Sequence, residues 1–156
     1  MNADRVRELL AAFAAEKVEY VICGGVALNL LGLARATEDL DLFIAPRAEN
    51  VERLKAALDS VFHDPCIAEI RADDLLGDYP AVQYVPPEGD FHVDIFTRQG
   101  EAFTFADLVA QRVLFEGVEV VITTPETLYR MKRDTVRLKD RADADALRRR
   151  FRLEVP

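Results

Sequence analysis

Strand and helix periodicities in this sequence add up to an α/β (α+β) fold, a mixed, partly antiparallel sheet with flanking helices. Three observations lead there. Helical and strand spacings alternate as far as Phe62, as they do when helices cross between strands. Two turn signals, Pro86-Pro87-Glu88-Gly89-Asp90 and Glu116-Gly117, then join apolar runs too closely for a crossover helix. Half of the 156 residues are hydrophobic, and a chain of this length buries roughly 70% of its unfolded surface without disulfides or metals. No repeat, low-complexity stretch or Pro/Gly/Ser linker divides it, so one domain over residues 1–156 is expected, with C-terminal helices from about 125.

The elements follow in order. Residues 4–16 place Val6, Leu9, Leu10 and Phe13 at helical spacing, with Asn2 or Asp4 available as a cap. Glu19 to Cys23 is a short strand rich in β-branched and aromatic residues, ended by Gly24-Gly25. A short helix from Val26 to Leu31 stops at Gly32, and a second strand runs from Asp39 to Ile44, closed by Ala45-Pro46. Glu49 to Phe62 repeats the helical spacing through Val51, Leu54, Leu58 and Val61. The signal is weak over residues 64–80. Strands are expected at Ala81–Val85 and Phe91–Phe96, then a hairpin of Arg112–Phe115 and Val118–Ile122. One helix opens near Pro125-Glu126 and another spans about Arg141 to Arg150.

Composition narrows the partners. No apolar run approaches the ~20 residues of a membrane span, and Asp4, Glu8 and Glu16 occupy the stretch where a signal peptide is uncharged. A soluble, cytoplasmic protein is expected. Cys23 and Cys66 make no disulfide framework, and no Cys/His cluster points to zinc. Twenty-eight acids against twenty bases give a net charge of −8, poor footing for sequence-independent binding to nucleic-acid backbones. Bases are nevertheless dense between Arg130 and Arg152, ten of them against four acids. That cluster either steers an anionic substrate or forms a solvated helix face, and the solvated face is the preferred reading.

The chemistry is concentrated in CGGVALNLLGLARATEDLDLFI, residues 23–44. Gly24-Gly25 sits at a strand-to-helix junction, where a missing side chain lets a phosphate approach backbone N–H groups. A tight turn that needs glycine for packing is the plainer alternative. Neither the P-loop pattern nor the dinucleotide fingerprint is present. Asp39 and Asp41, two apart on a strand, share one face roughly 7 Å apart, while Leu40 and Leu42 point into a core. Aspartate is a poor strand former and the like charges repel, so the pair needs a cation. A divalent metal serves both at once, because Mg²⁺ takes carboxylate and phosphate oxygens together; an exposed edge strand is the alternative. Asp94, in His92-Val93-Asp94-Ile95-Phe96, is again an acid in an apolar strand. Were that strand to pair beside the first acidic one, three carboxylates would converge on a site for two metal ions. Arg35 and Thr37 can bind a phosphate chain, although Arg35 can equally pair with Glu38 or Asp39.

The spacing G-G-x6-G-x2-R-x-T-x-D-x-D followed by a later h-D-h strand resembles the nucleotidyltransferase fold of the DNA polymerase beta superfamily. It is most similar to a small bacterial branch that includes abortive-infection-type toxin nucleotidyltransferases. Pro125-Glu126-x-Leu128-x3-Lys132 and Lys139-Asp140-x2-Asp143-x3-Leu147 resemble that branch's C-terminal helices, so the likeness spans Val18 to Leu147 except residues 64–80. The resemblance implies that Gly24 and Gly25 bind triphosphate through backbone amides, with Gly25 in place of the more common serine. It further implies that Asp39 and Asp41 coordinate Mg²⁺ (or Mn²⁺), that Asp94 is the third metal acid and assists deprotonation of the attacking hydroxyl, and that Lys132 contacts phosphate or substrate. Nucleoside monophosphate transfer from an NTP such as ATP to RNA, protein or a small molecule is the implied activity. A non-catalytic nucleotide- or partner-binding protein of the same fold, such as a toxin–antitoxin component, is the alternative.

Overall fold

The computed structural model describes residues 1–154. Its order is helix α1 (Ala3–Ala15), strand β1 (Tyr20–Cys23), helix α2 (Gly24–Leu30), strand β2 (Asp39–Ile44) and helix α3 (Ala48–Phe62). A 3-10 turn over Pro65–Glu69 and the one-turn helix α4 (Ala72–Leu75) fill the stretch where the sequence signal is weak. Strands β3 (Ala81–Tyr84) and β4 (His92–Phe96) follow, then a two-residue hairpin of β5 (Arg98–Gln99) and β6 (Phe103–Thr104). Strands β7 (Ala110–Phe115) and β8 (Val118–Thr123) and helices α5 (Pro125–Arg133) and α6 (Leu138–Phe151) complete the chain.

Six strands form one mixed sheet in the order β3-β4-β2-β1-β8-β7. β2 lies antiparallel to β1 and parallel to β4, and β1 is parallel to β8. The outer pairs β3–β4 and β7–β8 are antiparallel hairpins. Glu116 and Gly117 both have positive φ (46° and 81°), the backbone that matches a two-residue turn to the twist of its strands.

Side-chain alternation divides the sheet into two faces. Leu40, Leu42, Val93, Ile95 and Ile22 are fully buried on one face, under α1 and α3. Helix α1 contributes Val6, Leu9, Leu10 and Phe13, and α3 contributes Val51, Leu54 and Leu58, all at 0% exposure and so all core. Each such side chain stabilises the fold by roughly 1.5–3 kcal/mol. Two polar devices set these helices in place. The Asn2 side chain caps α1 by accepting from the N–H groups of Asp4 and Arg5. Buried Asn50 of α3 accepts from the Glu19 N–H and donates to the carbonyls of Glu19 and Ala45, fastening α3 to the ends of β1 and β2.

The opposite face carries the residues that this core does not need. A small aromatic cluster of Phe43, Phe96, Phe103 and Phe105 with Cys23 and Met131 occupies part of it. Above the rest lie α5 and α6, which pack closely on each other. Thr124 caps α5 by accepting from the Thr127 N–H, with Pro125 at the first helical position.

Candidate active site

The site grows from the central strands. Asp39 and Asp41 stand on the same face of β2, because Leu40 and Leu42 are claimed by the core. Parallel pairing of β2 with β4 sets Asp41 opposite Asp94 and Asp39 opposite His92. The neighbouring β1 brings Cys23, and with it the Gly24-Gly25 junction, beside Asp41. A recess of about 160 Å³ is therefore lined by Gly24, Gly25, Arg35, Thr37, Asp39, Asp41, Asp94 and Lys132, with Arg137, Lys139, Asp140 and Asp143 from the C-terminal helices. Residues up to 119 positions apart thus share one concavity about the acids.

Three carboxylates on adjacent strands are an electrostatic problem. Burial, then the charges of Asp94 and Asp39, push the Asp41 carboxyl up to about 7, and Lys132 and Arg137 offset only part of this. Asp94 Oδ1 accepts from Gln83 Nε2 at 3.0 Å, and Asp39 Oδ1 lies 3.3 Å from His92 Nδ1. Among the described residues no three His, Cys, Asp or Glu side chains are grouped so that they could hold a metal ion by themselves. The donors suit instead a hard cation that takes part of its shell from substrate phosphates and water, the habit of Mg²⁺.

The glycine pair has a steric cause close at hand. Gly24 has φ +67°, and a Cβ there would lie 2.0 Å from Asp41 Oδ2. A Cβ on Gly25 would lie 2.8 Å from the Thr37 Cβ. Both glycines make room for side chains of the site itself, and both fall inside α2 rather than before it. Thr37 in turn bonds the Asp39 backbone, accepting from its N–H at 3.1 Å and donating to its carbonyl at 3.2 Å.

The basic elements depart from expectation. Arg35 pairs with neither Glu38 nor Asp39; its Nε lies 3.5 Å from Asp143, and its Nη2 is buried with no hydrogen-bond partner. Asn29 holds the Arg35 backbone, accepting from its N–H at 2.6 Å and donating to its carbonyl at 2.8 Å. Lys132 Nζ donates to Asp140 at 3.2 Å and Asp143 at 3.1 Å, and Thr135 donates to Asp140 at 3.0 Å. The dense bases of the C-terminal helices are therefore not all a solvated face: Lys132, Arg137 and Lys139 line the recess, while Arg148 and Arg149 are exposed and pair with Asp145. Sequence reasoning passed over Asn29, Gln83 and Arg137 as site residues. Arg137 carried a signal, since the motif Lys139-Asp140-x2-Asp143 lies just beyond it. Cys23 is no nucleophile, because burial and the Asp41 charge push its thiol well up.

A family model described as "Nucleotidyl transferase AbiEii toxin, Type IV TA system" matches residues 8–152. The chain belongs to this nucleotidyltransferase family. Among curated proteins none matches the sequence. Solved structures share the fold. ANT(2'')-Ia in complex with adenylyl-2''-tobramycin superposes with TM-score 0.58 at 16% identity, over 96% of this chain and 88% of that one. An antigenic nucleotidyltransferase-like protein from Paracoccidioides brasiliensis superposes with TM-score 0.57 at 19% identity, over 94% and 77%. The mixed sheet with flanking helices is thus a nucleotidyltransferase fold, and nucleotidyl transfer is the chemistry of the family.

Proposed function

We propose that this member transfers a nucleoside monophosphate from an NTP to a hydroxyl acceptor with the help of Mg²⁺ or Mn²⁺ held by Asp39, Asp41 and Asp94. The observation that carries the reading is the register of β2 and β4, which sets Asp41 against Asp94 in a recess also lined by Gly24, Arg35 and Lys132. The metal, when bound, neutralises phosphate charge and lowers the pKa of the attacking hydroxyl. Arg35 offers the triphosphate a buried Nη2 donor that no protein group uses, and Gly24 and Gly25 offer it backbone close to the acids. Lys132, restrained by Asp140 and Asp143, is a positioned positive charge for the pyrophosphate that leaves. Asp94 has Oδ1 engaged by Gln83, which leaves Oδ2 to accept the acceptor's proton as its oxygen bonds the α-phosphorus and the bond to pyrophosphate breaks.

The family's description as the toxin of a type IV toxin–antitoxin system supports a cognate antitoxin as partner and the cytoplasm as the place of action. Among the described residues no helix is long and apolar enough to cross a membrane. The acceptor class, whether RNA, protein or small molecule, follows from what is labelled. Isothermal titration of NTP with Mg²⁺ tests the site: binding is expected to depend on metal and to vanish in Asp39→Asn with Asp41→Asn. Equal affinity with and without metal would remove the carboxylates from nucleotide binding.

A further inference from the structure

Arg35 and Thr37 lie on the strap of residues 31–38 that carries the chain from α2 to β2. Backbone pairing holds its two ends. The Leu33 N–H donates to the Leu28 carbonyl at 2.9 Å, and the Glu38 carbonyl accepts from the His92 N–H at 2.8 Å. Among the described residues no backbone–backbone hydrogen bond reaches residues 34–37. Side chains take its place. Thr37 fastens itself to the Asp39 backbone. Asn29, the penultimate residue of α2, exchanges two bonds with Arg35, accepting from its N–H at 2.6 Å and donating to its carbonyl at 2.8 Å. The side-chain amide thus pairs with one residue as a neighbouring strand would, satisfying both of its backbone polar groups. The guanidinium is held more loosely: Nε is 3.5 Å from Asp143, beyond a firm hydrogen bond, and buried Nη2 has no partner. Its place is therefore set through the backbone of Arg35, and Asn29 sets that backbone.

We infer that Asn29 is a positioning residue for the nucleotide, fixing the Arg35 backbone so that Nη2 meets the triphosphate. The inference rests on the nucleotidyl-transfer reading and adds the residue that aims its arginine. Asn29 acts from outside: it does not line the recess, whereas Arg35 does. It is exposed on α2, where asparagine is a poorer helix former than alanine, so the helix gains nothing from it locally. What the amide does instead is join positions 29 and 35 across the turn that leaves the helix. An arginine side chain has many rotatable bonds, and a fixed backbone reduces the freedom that it gives up on meeting a phosphate, the sense in which preorganisation raises affinity. Thr37 does for the Asp39 backbone what Asn29 does for that of Arg35. The strap thus presents a phosphate donor and a metal acid from two anchors made by side chains.

The test is a double-mutant cycle, read by titration of NTP with Mg²⁺ into wild type, Asn29→Ala, Arg35→Ala and the double variant. Alanine favours the helix at this exposed position, so α2 is expected to persist. Asn29→Ala is expected to weaken NTP binding about 3- to 10-fold, and Arg35→Ala about 10- to 100-fold. With Arg35 already removed, Asn29→Ala is expected to cost no more than about twofold. An equal loss in both backgrounds would show that Asn29 does not act through Arg35 and would overturn the inference, as would the absence of loss in either single variant. Amide hydrogen exchange reads the clamp without nucleotide. At the Arg35 N–H it is expected to quicken about tenfold or more in Asn29→Ala, and unchanged exchange would also overturn the inference. Wild-type protein that binds no NTP would instead overturn the nucleotidyl-transfer reading, with the exchange rates still deciding whether Asn29 fixes Arg35.

Discussion

Asp94, Asp41 and Gly24 each lead to a separate expectation. Asp94 is the proposed proton acceptor, so Asp94→Asn should lower transfer ~10²–10⁴-fold while NTP affinity stays within a few-fold, as quench-flow and titration would show. Asp41 carries a different cost. Its carboxyl titrates at about 7 in the folded chain against 3.8 for an unperturbed aspartate, so the folded state binds a proton that the unfolded state has lost between these values. Stability is therefore fully present below about pH 4 and falls as pH rises toward 7, by an amount on the order of a few kcal/mol. Metal-free Asp41→Asn should melt above wild type at pH 8 and near it at pH 4; an equal difference at both would contradict this origin. Gly24 tolerates no side chain: alanine there combines a positive φ with a Cβ 2.0 Å from Asp41 Oδ2. Gly24→Ala should either displace Asp41 and abolish metal-dependent nucleotide binding or fail to fold, whereas unchanged binding would show that the junction is not part of the site.

Helices α5 and α6 are joined by ion pairs as well as by buried Leu128, Met131 and Leu147. Asp143 is 7% exposed and joins Lys132 of α5 to Arg35 before β2, so its loss strands two cations in a poorly solvated place. Asp143→Ala should destabilise the fold by on the order of 3 kcal/mol in urea unfolding, and a change below 0.5 kcal/mol would mean that the cluster is not structural. Most elements were legible in the sequence because their periodicities were strong: the spacing of Val6, Leu9, Leu10 and Phe13, and the alternation of Asp39-Leu40-Asp41-Leu42, each correspond to an observed element. The stretch from Pro65 to Leu75 was not, because a 3-10 turn and a single helical turn are shorter than any period can reveal. The β5–β6 hairpin was missed for the same reason, and it is the hairpin that brings Arg98 and Gln99 to a cavity of about 400 Å³ beside Asp41. Strand Ala110–Phe115 starts two residues before the expected Arg112, a boundary set by pairing with Thr123 rather than by local propensity.

Across the whole molecule, a net charge of −8 coexists with a recess where five acids, Asp39, Asp41, Asp94, Asp140 and Asp143, are gathered with Arg35, Lys132, Arg137 and Lys139. Overall charge thus says little about the site, where both signs are collected in one recess. Candidate acids and glycines were legible because aspartate inside an apolar strand and a paired glycine at its end break local rules. Arg35's partner was not, since Asp143 is 108 positions away in sequence and only tertiary folding joins them. The nearby Glu38 and Asp39 were the local candidates, yet Arg35 Nε lies 3.5 Å from Asp143 and its buried Nη2 has no hydrogen-bond partner. The decisive measurement is transfer of α-phosphate label from each of the four NTPs to host-cell extract, with Mg²⁺ or Mn²⁺, wild type beside Asp94→Asn. Labelling of a discrete acceptor by wild type, lost in Asp94→Asn while nucleotide affinity persists, is the expected result. Wild-type protein that labels nothing with any nucleotide or metal, yet binds NTP, would contradict catalysis and leave a nucleotide-binding protein of the same fold.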